Sequence, residues 1–258
     1  VKEMMPYFDT QYGNPSSIHQ FGRKAKNAIQ KARKQVAALI GAEPDEILFT
    51  SGGTESNNTI LYGIPKSQGP KFVLNHIITS SIEHEAILEP CRDLEKNGVK
   101  VTYLPVDEHG IVNPNDITNS INPQTVIVSV MFANNEVGTI QPIKEISKIC
   151  NKYQIPLHTD AVQAVGKIPI NVKELGVDAL SISSHKINGP KGVGALFIKK
   201  GFTVAANIVG GGQENGMRSG TENVASIVGF GKACEIAKDK LSDNISHFQT
   251  LHSSMLSR

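Results

Sequence analysis

Asp178-Ala179-Leu180-Ser181-Ile182-Ser183-Ser184-His185-Lys186-Ile187-Asn188-Gly189-Pro190-Lys191-Gly192-Val193-Gly194 is the stretch from which the rest of the chain can be read. It opens as an apolar run of strand length and breaks into a turn rich in glycine and proline. A second apolar run, Ala195 to Ile198, follows. Outward from it, strand-like and helix-like segments alternate. Ile47 to Thr50, Ile77 to Ser80, Val99 to Leu104, Thr125 to Met131, Ile155 to Thr159 and Ala179 to Ser183 read as strands. Ser17 to Ile40, ending at Gly41, Glu85 to Asn97 and Pro142 to Tyr153 read as helices, and Asn58 to Tyr62 continues a helix begun after a glycine turn. Ser67 to Pro70 and Asn119 to Gln124 read as loops. Such alternation predicts a mostly parallel sheet covered by helices on both faces. A length of 258 residues fits one large α/β domain.

Lys186 stands just past the central run. A lysine at the end of a buried strand is opposed by desolvation, which lowers its pKa. A neutral amine is what forms a Schiff base with an aldehyde, so Lys186 reads as the attachment point for pyridoxal 5'-phosphate (PLP). That cofactor needs a carboxylate to keep its ring nitrogen protonated, and Asp160 falls at the end of a short strand. Gln163, three residues on, can donate to the phenolic oxygen. Ser51-Gly52-Gly53-Thr54-Glu55-Ser56-Asn57 lies between a strand and a helix, which makes an anion cradle at a helix start. Gly53 permits close approach, and Thr54, Ser183 and His185 add donors. His84 is placed to stack on the ring, and Asn135 to bond the cofactor's oxygen or a substrate carboxylate.

Each residue also has a plainer reading. Thr54 fits a helix N-cap, Asp160 a partner for a structural lysine, and His84 a surface residue at a helix start. Gly189 to Gly194 lacks the glycine order of a nucleotide loop and precedes a strand, so its glycines serve a sharp turn. Gly210-Gly211-Gly212 fits a flexible connection, and Arg218 has no assigned role. What separates the readings is that every candidate lies at the C-terminal end of a predicted strand, where ligands bind in open α/β sheets.

The motifs, in their order, resemble the cysteine desulfurases of the iron–sulfur assembly type, within the class V aminotransferases. They are Tyr12 to Ser17, Ser51 to Ser56, Glu83 to Ala86, Asn134 to Gly138, Asp160 to Gln163, Ser184 to Gly192 and Gly210 to Thr221. The resemblance runs over nearly the whole chain. It implies the large domain of a type I PLP-dependent transferase, with PLP as cofactor and L-cysteine as substrate. It implies Lys186 as cofactor lysine and general acid–base, with His84 stacking and shuttling a proton. Gly53, Thr54, Asn135, Asp160, Gln163, Ser183 and His185 are implied as cofactor ligands. Thr221 is expected to reach the phosphate of a neighbouring subunit's cofactor, which makes a homodimer. Sulfur would leave as a protein persulfide for an iron–sulfur scaffold or another acceptor. Related class V enzymes, such as selenocysteine lyases and transaminases, share every step before the attack on sulfur. An inactive fragment is the remaining alternative.

The family pattern also sets expectations about extent. Residues 1–240 are expected to form the PLP-binding domain and residues 241–258 to begin a helix connecting to a small C-terminal domain. A first strand would precede Val1. The persulfide-forming cysteine would lie beyond Arg258. Cys91, Cys150 and Cys234 have helical surroundings and read as core residues.

Composition narrows the classes further. The formal charge of +2 implies no strongly charged partner. Arg23, Lys24, Lys26, Lys31, Arg33 and Lys34 read as a solvated helix face, since no aromatic residues interleave for nucleic-acid binding. No apolar run approaches the roughly 18 residues of a spanning helix. The cysteines form neither a disulfide framework nor a zinc pattern, and the histidines show no paired ligand spacing, so no metal is expected. A cytoplasmic location is the expectation.

Overall fold

The computed structural model describes residues 1–67 and 75–257. Among the described residues seven strands form one sheet: β1 (Ile47–Thr50), β2 (His76–Ser80), β3 (Lys100–Leu104), β4 (Thr125–Ser129), β5 (Leu157–Asp160), β6 (Ala179–Ser183) and β7 (Gly194–Ile198). Their spatial order is β1-β7-β6-β5-β4-β2-β3. The pairs from β6 through β3 are parallel, whereas β7 runs antiparallel to both its neighbours. The reason is the connections. Parallel neighbours need a crossover, and helices supply it elsewhere. Between β6 and β7 there is only the turn that carries Lys186.

The helices are α1 (Gln20–Ile40), α2 (Gly53–Ser67), α3 (Glu85–Lys96), α4 (Pro114–Ser120), α5 (Ile143–Tyr153), α6 (Val172–Leu175), α7 (Val224–Asp239) and α8 (Leu241–Leu256). Alternate strand residues feed two cores. Ile78, Val128, Leu157 and Leu180 join one with Ile29, Val36, Ile146 and Phe230 from α1, α5 and α7. Ile77, Ile127, Ala179 and Leu196 join the other, under Ile60, Leu61, Ile87 and Leu94 of α2 and α3. Burying each such Ile or Leu stabilises by about 1.5–3 kcal/mol. Gly41 ends α1 in the left-handed conformation (φ 71°) that glycine adopts without a Cβ penalty.

Three readings need correction. Asn119 and Ser120 close α4, which Asn113 caps by accepting from the Asn115 N–H; a short helix gives little periodicity to read. Arg33 is not on the solvated face. It lies largely buried, donating to Glu214 (2.5 and 2.9 Å) and sitting 4.8 Å over the Phe49 ring. Ser67 is the last residue of α2, and Gln68 to Pro70 lie outside the described residues. Among the described residues no helix is long and apolar enough to cross a membrane.

Candidate active site

A cavity of about 250 Å³ opens at the C-terminal ends of the parallel strands. Nine of the ten expected residues line it: Gly53, Thr54, His84, Asn135, Asp160, Gln163, Ser183, His185 and Lys186. They come from the ends of β1, β2, β4, β5 and β6 and are separated by up to 133 positions in sequence. Thr221 is exposed and borders two other depressions, together with Glu222 and Asn223.

Asp160 forms the floor. Its residue is 6% exposed. Oδ1 accepts from the Val162 N–H at 2.9 Å, and Oδ2 accepts from Asn57 Nδ2 at 2.7 Å. Burial pushes the carboxyl above the usual Asp range, while the two donors and the nearby His84 pull it down. Among the described residues no lysine or arginine forms an ion pair with it. Beneath it, one strand repeat back on the same face, His158 bridges Ser129 Oγ (2.8 Å) and Ser181 Oγ (3.0 Å). Burial lowers that imidazole to about 3, so it is neutral.

His84 caps α3, with Nδ1 accepting from the Ala86 N–H at 3.0 Å. The plain helix-start reading and the cavity reading therefore hold together. The cap fixes the ring's tautomer, leaving the proton on Nε2. Gln163 accepts from Lys167 Nζ at 2.6 Å through Oε1, so its amide NH₂ remains available to donate. Ser183 Oγ and His185 Nδ1 are 2.9 Å apart. Burial, Lys186 and Lys191 hold His185 below the usual histidine range.

Lys186 departs from expectation in its setting. It is exposed, on the single 3-10 turn Ser184–Ile187 that follows β6. The strand ends at Ser183, and the turn carries Lys186 out of the sheet while keeping it in the cavity lining. The burial argument therefore applies to the strand and not to the side chain.

The start of α2 supplies the cradle. A Cβ on Gly53 would come within 2.7 Å of Val162 Cγ2. One on Gly194 would come within 2.5 Å of the Ile182 carbonyl and 2.7 Å of Gly52 Cα, so β7 and the glycine turn touch backbone to backbone. Arg218 pairs with Glu55 at 2.9 Å, tying the Gly210–Thr221 segment to the first turn of α2.

Sequence reading missed Asn57, Glu83, Asn134 and Lys167. Asn57 lies four positions after Gly53, on the same face of α2, and a polar residue on an inward face was the available signal. Asn134 shapes the turn that carries Asn135, accepting from the Glu136 and Val137 N–H groups (2.8 and 3.0 Å).

These residues fit PLP. Asp160 is a buried carboxylate held by neutral donors, which a protonated ring nitrogen would complete. Asn57, in the cavity lining, has its Oδ1 buried without a hydrogen-bond partner among the described residues. A helix start with Thr54, Ser183 and His185 beside it suits a phosphate.

The family profile described as "Aminotransferase class-V" matches residues 1–258. The chain is 54% identical over 248 residues to "Cysteine desulfurase IscS" of Dictyoglomus turgidum, covering 96% of this chain and 62% of that relative. It is 52% identical over 244 residues to the protein of the same name from Methanosarcina thermophila, covering 95% of this chain and 60% of the other. The chain thus spans somewhat under two thirds of the length of these curated relatives. Among solved structures, a NifS-like protein superposes with a TM-score of 0.95 at 44% identity, over 99% of this chain and 70% of the other. DndA from Streptomyces lividans does so at 0.89 and 37% identity, over 99% and 73%. The chain belongs to the class V aminotransferase family.

Proposed function

We propose that this chain is the cofactor-binding domain of a PLP-dependent cysteine desulfurase, which converts L-cysteine to L-alanine and passes the sulfur on as a protein persulfide. The observation that carries the reading is the meeting of Lys186, Asp160 and His84, from three strand ends, in one cavity. The similarity to proteins named cysteine desulfurase supports the substrate and the product.

PLP, when bound, supplies an electron sink for loss of the substrate's Cα proton. Lys186 would hold the cofactor and carry the substrate's proton on its amine. Asp160 would face its ring nitrogen, with Asn57 and the Val162 N–H fixing the carboxylate. His84 would line the cavity beside it, with Nε2 free of the cap. The Gln163 amide and Asn135 bond oxygens at the reacting edge, and Gly53, Thr54, Ser183 and His185 receive the phosphate.

The sulfur-accepting cysteine is not among the three in this chain. All are buried, and burial pushes the Cys91 and Cys150 thiols up to about 12, far from a thiolate at neutral pH. Residues 1–240 form the PLP domain, and α8 starts the connection to a further domain. Phe248, Leu251 and Met255 on α8 are each about half exposed or more, which supports a covering partner. The enzyme works as a homodimer in the cytoplasm, with Thr221 reaching the neighbouring cofactor's phosphate. It supplies an iron–sulfur scaffold or another acceptor.

The test is the visible spectrum of the chain after PLP is added. A borohydride-reducible band in the wild type, lost in Lys186→Ala, is expected. A soluble, folded wild type without the band would overturn the reading.

A further inference from the structure

Two carboxyl groups lie buried near one another at the ends of β2 and β5: Glu83, 5% exposed, and Asp160, 6% exposed. Their hydrogen bonds are distributed differently. Asp160 has one donor on each oxygen. Glu83 takes both of its donors on Oε1, from the Ser80 hydroxyl at 2.5 Å and the Met131 N–H at 2.8 Å. Its Oε2 has no partner among the described residues.

An ionised carboxylate spreads its charge over two oxygens, so a bare Oε2 is heavily penalised. A carboxylic acid fits the same geometry better, with its carbonyl at Oε1 and its hydroxyl at Oε2, because an unpaired buried hydroxyl costs less than an unpaired charge. The titratable neighbours agree. Asp160 faces Glu83 from β5, Cys91 from α3, and His84 follows it in the chain. No basic side chain forms an ion pair with it among the described residues. Burial first, with Asp160 adding to it, pushes Glu83 up to about 8 against the pull of Ser80 and Met131.

The same turn is tied a second time, by Asn134 Nδ2 donating to the Ile82 carbonyl at 2.9 Å. Residues 81–84 are thereby clamped to the end of β4 and the loop after it, and His84 leaves directly from the clamp.

We propose that Glu83 is a positioning residue: as an uncharged carboxylic acid it fastens the turn before α3 to the end of β4, sets His84 over the cavity, and leaves Asp160 as the negative charge of the site. The role of His84 rests on the cofactor reading above; the protonation of Glu83 does not.

Three measurements on the full chain test this. Infrared difference spectra at neutral pH, Glu83→Gln against wild type, should show a protonated-carboxyl band present only in the wild type; its absence overturns the proposal. PLP titration should give Glu83→Gln a dissociation constant within about twofold of wild type and Glu83→Ala one about tenfold weaker or more. Equal damage by both, or by neither, overturns it. If the alanine variant does not fold, the glutamine variant and the spectra still decide.

The third measurement is thermal stability against pH. Folding raises the pKa of Glu83, so its contribution is full below the ordinary Glu range of about 4.3 and is lost as pH rises toward about 8. The melting midpoint of the wild type relative to Glu83→Gln should therefore fall between about pH 5 and 8. A flat difference counts against the proposal. A wild type that binds no PLP overturns the cofactor reading, while the infrared and stability tests of Glu83 still stand.

Discussion

The two ends of the sheet treat buried polar groups in opposite ways. At the starting end, His76 bonds Thr125 Oγ1 (2.8 Å) and Asn122 Nδ2 (2.9 Å) through Nδ1, and Thr102 Oγ1 (2.8 Å) through Nε2. Both ring nitrogens are engaged, and burial holds the imidazole below the usual range. At the finishing end, Asn57 Oδ1, Thr79 Oγ1, Glu83 Oε2 and Ser184 Oγ are buried without partners among the described residues. Protein interiors satisfy nearly all such groups. A closed network holds strands together; among these open valences Asn57 belongs to the cavity lining, where its Oδ1 offers an acceptor to a ligand.

That contrast can be broken by substitution. The largest effect is expected at the finishing end. Asp160→Asn should lower L-cysteine turnover of the complete protein by about 100-fold or more. Its melting temperature should hold or rise, because a buried charge has gone. A variant with normal turnover would remove Asp160 from the site. His76→Ala should do the reverse, with about 2 kcal/mol of stability lost and the PLP spectrum unchanged. A shifted spectrum there would show that the two ends are coupled. Asn57→Ala is the finer test. It strips Asp160 Oδ2 of its donor and should weaken PLP binding about tenfold. Unchanged binding would mean that the Val162 N–H alone holds the carboxylate.

Much of this was legible beforehand. The parallel sheet followed from strands alternating with helices, and nine cavity residues followed from motifs at strand ends. What stayed hidden has a common cause. Asn57, Glu83 and Asn134 stand inside or beside the motifs, but they act through partners 48 to 103 positions away in sequence, which the local pattern does not identify. Arg33 misled because five neighbouring basic residues share its helix, and only the fold brings Glu214 to it. Lys186 misled in a different way. A buried strand implies a buried side chain only up to its last residue, and here the turn at Ser184 intervenes.

The reversed strand β7 has a consequence for how firmly the amine is mounted. Ser183 pairs with Gly194, and the Ser184 N–H reaches the Val193 carbonyl at 3.2 Å, so the turn bearing Lys186 is stitched to the sheet at both of its feet. One strand over, Asp160 pairs with Ser181. The spacing between amine and carboxylate is thus written largely into the rungs of three adjacent strands, with the short turn Ser184–Ile187 as the one added step. Those strands act as a rigid jig, and lengthening the loops around them would leave the two groups the same distance apart.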